Sequence, residues 1–124
     1  MPKLAIPLSV PNKKKATYER NFKIATHNSG RLFLFAGDQK VEHLNTDFYG
    51  PGIAPADSSP EHLFQIASGL PGAVLAVHIG LLARYGHNYS QLPFILKVNG
   101  KSPIDNNPDD SYSAAWLPLD QIIR

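Results

Sequence analysis

The sequence predicts an α/β protein built from consecutive parallel β-α units, and three observations carry that expectation. Short apolar runs recur at Leu32–Phe35, Ala73–Val77 and Phe94–Val98. Segments of helical spacing separate them, and alternation of this kind implies right-handed crossovers and a parallel sheet. Each run also ends in polar or charged residues: Asp38, Gln39 and Lys40 after the first, His78 after the second, Lys97, Asn99 and Lys101 at the third. In α/β folds the chemistry gathers at this C-terminal edge of the strands.

The elements follow in order. Residues 1–11 are apolar and carry three prolines, which reads as an extended arm. Residues 12–29 read as an N-terminal helix, with Tyr18, Phe22 and Ala25 at helical spacing and Asn28-Ser29-Gly30 as its stop. Lys13-Lys14-Lys15 lies at its start, where the helix dipole disfavours cations, and reads as a solvated face. Leu32–Phe35 is continuously apolar, which suits a strand covered on both faces. Leu44–Ser59 is a long loop, and such loops in small domains are commonly lids or binding loops.

Ser58-Ser59-Pro60-Glu61 then opens a second helix. Proline suits its first position, and Ser58 to Glu61 has capping-box spacing, with Ser59 as the competing cap. Leu63, Phe64, Ile66, Ala67 and Leu70 form its buried stripe. A short third helix through Leu81, Leu82 and Tyr85 stops near Gly86. Asn106–Ser113 reads as a polar loop and Trp116–Arg124 as the start of another helix. Residues 30–124 thus hold three β/α units of one partial domain. A complete (β/α)8 barrel takes about 250 residues, so by length the chain matches the first three units of such a barrel.

Composition narrows the function classes. A hydrophobic fraction of 43% and a charged fraction of 18% over 124 residues fit one globular domain. A net charge of +2 calls for neither nucleic acid nor an anionic membrane. No run approaches the roughly 18 apolar residues of a membrane helix, and no signal-peptide core is present. A cytoplasmic location is expected, and the Asn88-Tyr89-Ser90 sequon reads as unused. The absence of cysteine excludes disulfides, thiolate metal sites and cysteine catalysis. The five histidines show no compact ligand spacing, so neither metal nor other cofactor is expected. Nucleotide-binding glycine motifs and a serine nucleophile elbow are also missing.

Lys97 stands out among the strand-end residues. A lysine in an apolar strand is costly to bury unless paired, and a desolvated amine suits imine chemistry. Read alone, it is a candidate Schiff-base former. Asp38 is either a loop cap or a site acid. Gln39, Glu42 and His43 are placed to line a site mouth, His43 with ordinary loop packing as the alternative. Asn99 and Lys101 fit contact with a phosphate or hydroxyl, or plain solvent exposure. His78 reads as a satisfied core or rim histidine.

The segments LFLFAGDQKVEHLNTDFYGPGI, PEHLFQIAS, GLLARYG and PFILKVNGKS, in this order, make the chain from about Gly30 onward resemble the DhnA-type class I fructose-bisphosphate aldolases. That resemblance implies a (β/α)8 barrel and retro-aldol cleavage of a sugar phosphate through a lysine imine, with no metal. It also implies that the imine lysine, on a sixth strand, and a proton-transferring tyrosine lie beyond Arg124. The chain is then expected to be the N-terminal part of such an enzyme. The resemblance gives Asp38 an acidic site position, bonding substrate hydroxyls. Lys97 becomes an auxiliary cation, paired with Asp38, or half of a structural ion pair. Related enzymes acting on other ketose phosphates, and a catalytically inactive chain, are the rival expectations. Three unclosed strands leave a sheet edge unpaired, so marginal stability or a homo-oligomer is expected.

Overall fold

The computed structural model describes residues 4–37, 50–100 and 114–115, the last two in backbone only. Three strands, β1 (Phe33–Ala36), β2 (Ala73–His78) and β3 (Phe94–Lys97), form a parallel sheet in the order β1-β2-β3. Helix α1 (Lys15–Ala25), preceded by a 3-10 turn at Asn12–Lys14, comes before β1. Helix α2 (His62–Ser68) joins β1 to β2, and α3 (Ile79–Tyr85) with its 3-10 extension Gly86–Tyr89 joins β2 to β3. The α/β class and the consecutive parallel units are therefore as the apolar runs imply. A two-stranded antiparallel pair, β4 (Asn99–Gly100) with β5 (Ala114–Ala115), was not anticipated. Two-residue strands are too short to show a period.

The register decides which side chains share a face. Phe35 lies beside Leu75, which lies beside Phe94; Val77 lies beside Leu96. These odd positions of β1 and β2 face the helices, where Phe64, Ala67, Leu75, Val77 and Leu92 form the buried core. Phe64 is its centre, 0% exposed. The rings of Tyr85, Tyr89 and Phe94 surround it at 5.6, 5.3 and 5.9 Å between centroids. Tilted pairs at these separations add to the free energy of apolar burial.

α1 ends in a Schellman arrangement. The Asn28 N–H donates to the Lys23 carbonyl and the His27 N–H to the Ile24 carbonyl. This puts His27 and Asn28 at φ 46° and 61°, the left-handed region usually left to glycine. The Thr26 hydroxyl, donating to the Phe22 carbonyl at 2.8 Å, helps close the last turn. Tyr18, Phe22 and Ala25 border an open groove shared with Pro93, Phe94 and Ile95 at the start of β3.

Two local expectations need correction. The Ser58–Glu61 capping box does not form. Ser58 belongs to a 3-10 turn, Pro55–Ser58, and its hydroxyl donates to the Pro55 carbonyl instead. Serine competes with helix caps by such local bonds. α2 accordingly starts at His62, without a side-chain cap. Nor is the first strand covered on both faces. Phe33 and Leu34 are 49% and 46% exposed; among the described residues β1 is an edge of the three-stranded sheet, and β2 takes the doubly buried place. Residues 44–49 of the long loop, the Asn106–Ser113 loop and the Trp116–Arg124 helix lie outside the described residues.

Replacing the central ring should be severe. Phe64→Ala is expected to lose about 3–5 kcal/mol, a large part of a small domain's stability. Phe64→Leu should lose less. Urea unfolding followed by far-UV circular dichroism measures both.

Candidate functional site

The C-terminal ends of β1, β2 and β3 lie together at one edge of the sheet. Side chains alternate across a strand, so the even positions of β1 and β2 face away from the core just described. On that inner face Leu34 lies beside Val74, and Ala36 beside Ala76 and Ile95. The last rung is polar: His78 pairs in register with Lys97. His78 is only 3% exposed and Lys97 is half-buried. The inner face thus changes from aliphatic to polar at the edge where β-α enzymes hold substrate.

Gly37 keeps β1 close to β2 at this edge. Its N–H donates to the Ala76 carbonyl at 2.8 Å. A β-carbon there would stand 3.0 Å from Leu75 Cδ1, 3.1 Å from the Ala76 carbonyl oxygen and 3.2 Å from Val77 Cγ1. One of those three is backbone and the others belong to buried core side chains. The glycine therefore serves close approach rather than a turn.

Of the residues the sequence singled out, Lys97 and His78 are brought side by side. Asn99 follows in β4, exposed, with Gly100 buried after it. Asp38, Gln39, Glu42, His43 and Lys101 lie outside the described residues. Among the described residues no group of three or more His, Cys, Asp or Glu side chains is placed to hold a metal ion. No helix among them is long and apolar enough to cross a membrane.

The structure adds two polar braces at the start of α2. Asp57 Oδ1 and His62 Nδ1 are 2.7 Å apart, tying the 3-10 turn to the start of α2. The Tyr89 hydroxyl donates to Glu61 Oε1 at 3.2 Å, tying the turn after α3 to the same point. Burial and then the Glu61 carboxylate raise the Tyr89 phenol above its usual range, against a small opposing effect of Gln65. The only sequence signal for these braces was the presence of the residue types, since neither pair follows a motif.

No protein-family model matches the chain. It is 48% identical over 104 residues to a curated protein of Methanocaldococcus jannaschii named fructose-bisphosphate aldolase/6-deoxy-5-ketofructose 1-phosphate synthase. That match covers 84% of this chain and 34% of the relative, so the chain spans about a third of the relative's length. A solved structure, a fructose-bisphosphate aldolase from Slackia heliotrinireducens, superposes with a TM-score of 0.85 at 43% identity. It takes in 98% of this chain and 38% of the other. The three parallel β-α units correspond to part of an incomplete β-α barrel. Over most of its length the chain is similar to fructose-bisphosphate aldolases, of which it spans little more than a third.

Two outcomes follow from the geometry. Gly37→Ala should lose about 1–3 kcal/mol by overpacking against β2, read as a lowered urea midpoint. The raised Tyr89 phenol makes the folded state hold its proton more tightly than the unfolded state. That contribution is complete below about pH 10 and fades as pH rises past it. Urea midpoints measured from pH 8 upward should fall more steeply for the unsubstituted chain than for Tyr89→Phe.

Proposed function

We propose that this chain supplies the first β-α units, and with them part of the substrate site, of a class I fructose-bisphosphate aldolase. The 48% identity over 104 residues carries this reading. The polar rung on the inner face supports it.

The reaction explains which residue types the site needs. A lysine amine condenses with the C2 ketone of fructose 1,6-bisphosphate, losing water and leaving a protonated imine. A base takes the C4 hydroxyl proton, and the C3–C4 bond breaks with its electron pair entering the iminium. Glyceraldehyde 3-phosphate leaves. Protonation and hydrolysis of the remaining enamine release dihydroxyacetone phosphate and free the lysine. Around this sequence, fixed hydrogen-bonding groups and cations hold hydroxyls and phosphates where charge develops.

Lys97 takes the part of an auxiliary cation rather than the imine former. It projects from the inner face of β3, where a charge favours oxyanions and phosphate. Asp38 bonds substrate hydroxyls, and Gln39, His43, Asn99 and Lys101 line the mouth. The imine itself is assigned to none of these residues. A second reading, a related ketose-phosphate aldol enzyme, is favoured by the second activity in the name of the Methanocaldococcus relative.

Borohydride reduction in the presence of dihydroxyacetone phosphate, followed by peptide mass spectrometry, tests the role of Lys97. No adduct at Lys97 is expected. Calorimetric titration should show fructose 1,6-bisphosphate binding that weakens about tenfold in Lys97→Met, roughly 1.4 kcal/mol. A stoichiometric adduct on Lys97 would show that it forms the imine and overturn the auxiliary assignment.

A further inference from the structure

We propose that the outward face of α1 is a docking surface for an anionic membrane, to which the chain attaches peripherally. This surface is separate from the polar strand edge and does not depend on the aldolase reading. It begins with the distribution of charge along the sequence. Residues 1–31 carry seven lysines and arginines against a single acid, Glu19, whereas residues 32–124 carry five against nine. The net charge of +2 is therefore the sum of a strongly basic region and an acidic one.

The structure gathers the basic charge on one short element. Lys13, Lys15, Arg20, Lys23 and Arg31 are all exposed, on or beside α1. From Lys15 to Lys23 the helix advances only about 12 Å. Three of the lysines also stand where they oppose the helix. Lys13, Lys14 and Lys15 open α1 and the 3-10 turn before it, with no acid in either first turn and no side-chain cap. Cations at this end meet the positive pole of the helix dipole and weaken the helix. Local rules are broken in this way chiefly at functional surfaces.

The apolar residues decide which kind of polyanion fits. Tyr18, Phe22 and Ala25 face the groove shared with β3. Ile24 is 52% exposed and borders, with Arg20 and Lys23, a shallow depression of about 320 Å³. Leu8 is fully exposed, in the turn closed by the Val10 N–H donating to the Pro7 carbonyl. A nucleic-acid backbone satisfies lysine and arginine but gives aliphatic side chains nothing to bury against. An anionic bilayer takes both, with phosphates at the headgroup level and an acyl boundary beneath them. At 11 residues α1 is too short to span a bilayer, so it lies on the surface. Each cation near such a surface strengthens binding about fivefold, and salt screens the attraction. The attachment is reversible.

Co-sedimentation of the 124-residue chain with vesicles of equal parts phosphatidylcholine and phosphatidylglycerol tests this. Pure phosphatidylcholine vesicles are the neutral control. The chain is expected to sediment with the anionic vesicles alone, and to be released at about 1 M salt, where the screening length is about 3 Å. Lys13→Gln, Lys14→Gln and Lys15→Gln together should weaken binding about a hundredfold, at fivefold per cation. Circular dichroism should show the helix retained in that variant, because the change relieves the dipole. Ile24→Ser should weaken binding severalfold without altering its salt dependence. No sedimentation with anionic vesicles, or equal sedimentation with neutral ones, overturns the proposal. Undiminished binding by the triple variant overturns it as well. If Ile24→Ser and Leu8→Ser both bind vesicles normally while polyuridylate binds the chain more tightly than lipid, the face is a nucleic-acid surface and the membrane assignment fails.

Discussion

The structure depends on burying β2 along its whole length. A parallel strand with neighbours on both edges satisfies its backbone groups through the two ladders, leaving its side chains to meet only other side chains. Val74, Leu75 and Val77 meet that demand with apolar surface. Leu75 and Val77 pack under Phe64, which in turn is enclosed by Tyr85, Tyr89 and Phe94. The same constraint explains Gly37. With β1 hydrogen-bonded to the Ala76 carbonyl, no room is left for a β-carbon between the strands.

A fully buried strand makes its one polar residue conspicuous. Desolvating an imidazole opposes folding unless its surroundings answer it. His78 stands where β2 gives way directly to α3, and the neighbouring strand brings Lys97 to the same rung. The polar end of the inner face is thus fixed by the register that aligns the hydrophobic outer face. Slipping β3 by one residue would turn Lys97 toward the helices and Leu96 or Val98 toward the inner face.

Much of this was legible in the sequence. Continuous apolar runs separated by helical spacing were enough for three parallel strands, and an isolated lysine in Phe94–Lys97 was enough to mark a strand end. The rest was hidden for physical reasons. Ser58 carried a capping signature, but a serine hydroxyl also bonds nearby carbonyls, and here it chose Pro55. Leu32–Phe35 looked doubly buried, because an apolar run does not reveal whether its strand is central or at an edge. His78, read as a core or rim histidine, is indeed buried, at 3% exposure. The Asp57–His62 and Glu61–Tyr89 braces were likewise set by the path of the chain between elements.

The two faces of the sheet differ in what they bury. The outer face carries the aromatic cluster and the close contacts of α2 and α3 with β2, where removal of a ring leaves a cavity that packed neighbours cannot fill. The inner face is aliphatic toward the N-terminal end and polar at the other, with Leu34 half-exposed on β1. Its polar rung adds little apolar burial, whereas substitutions around Phe64 remove surface from the centre of the core and should act first on folding.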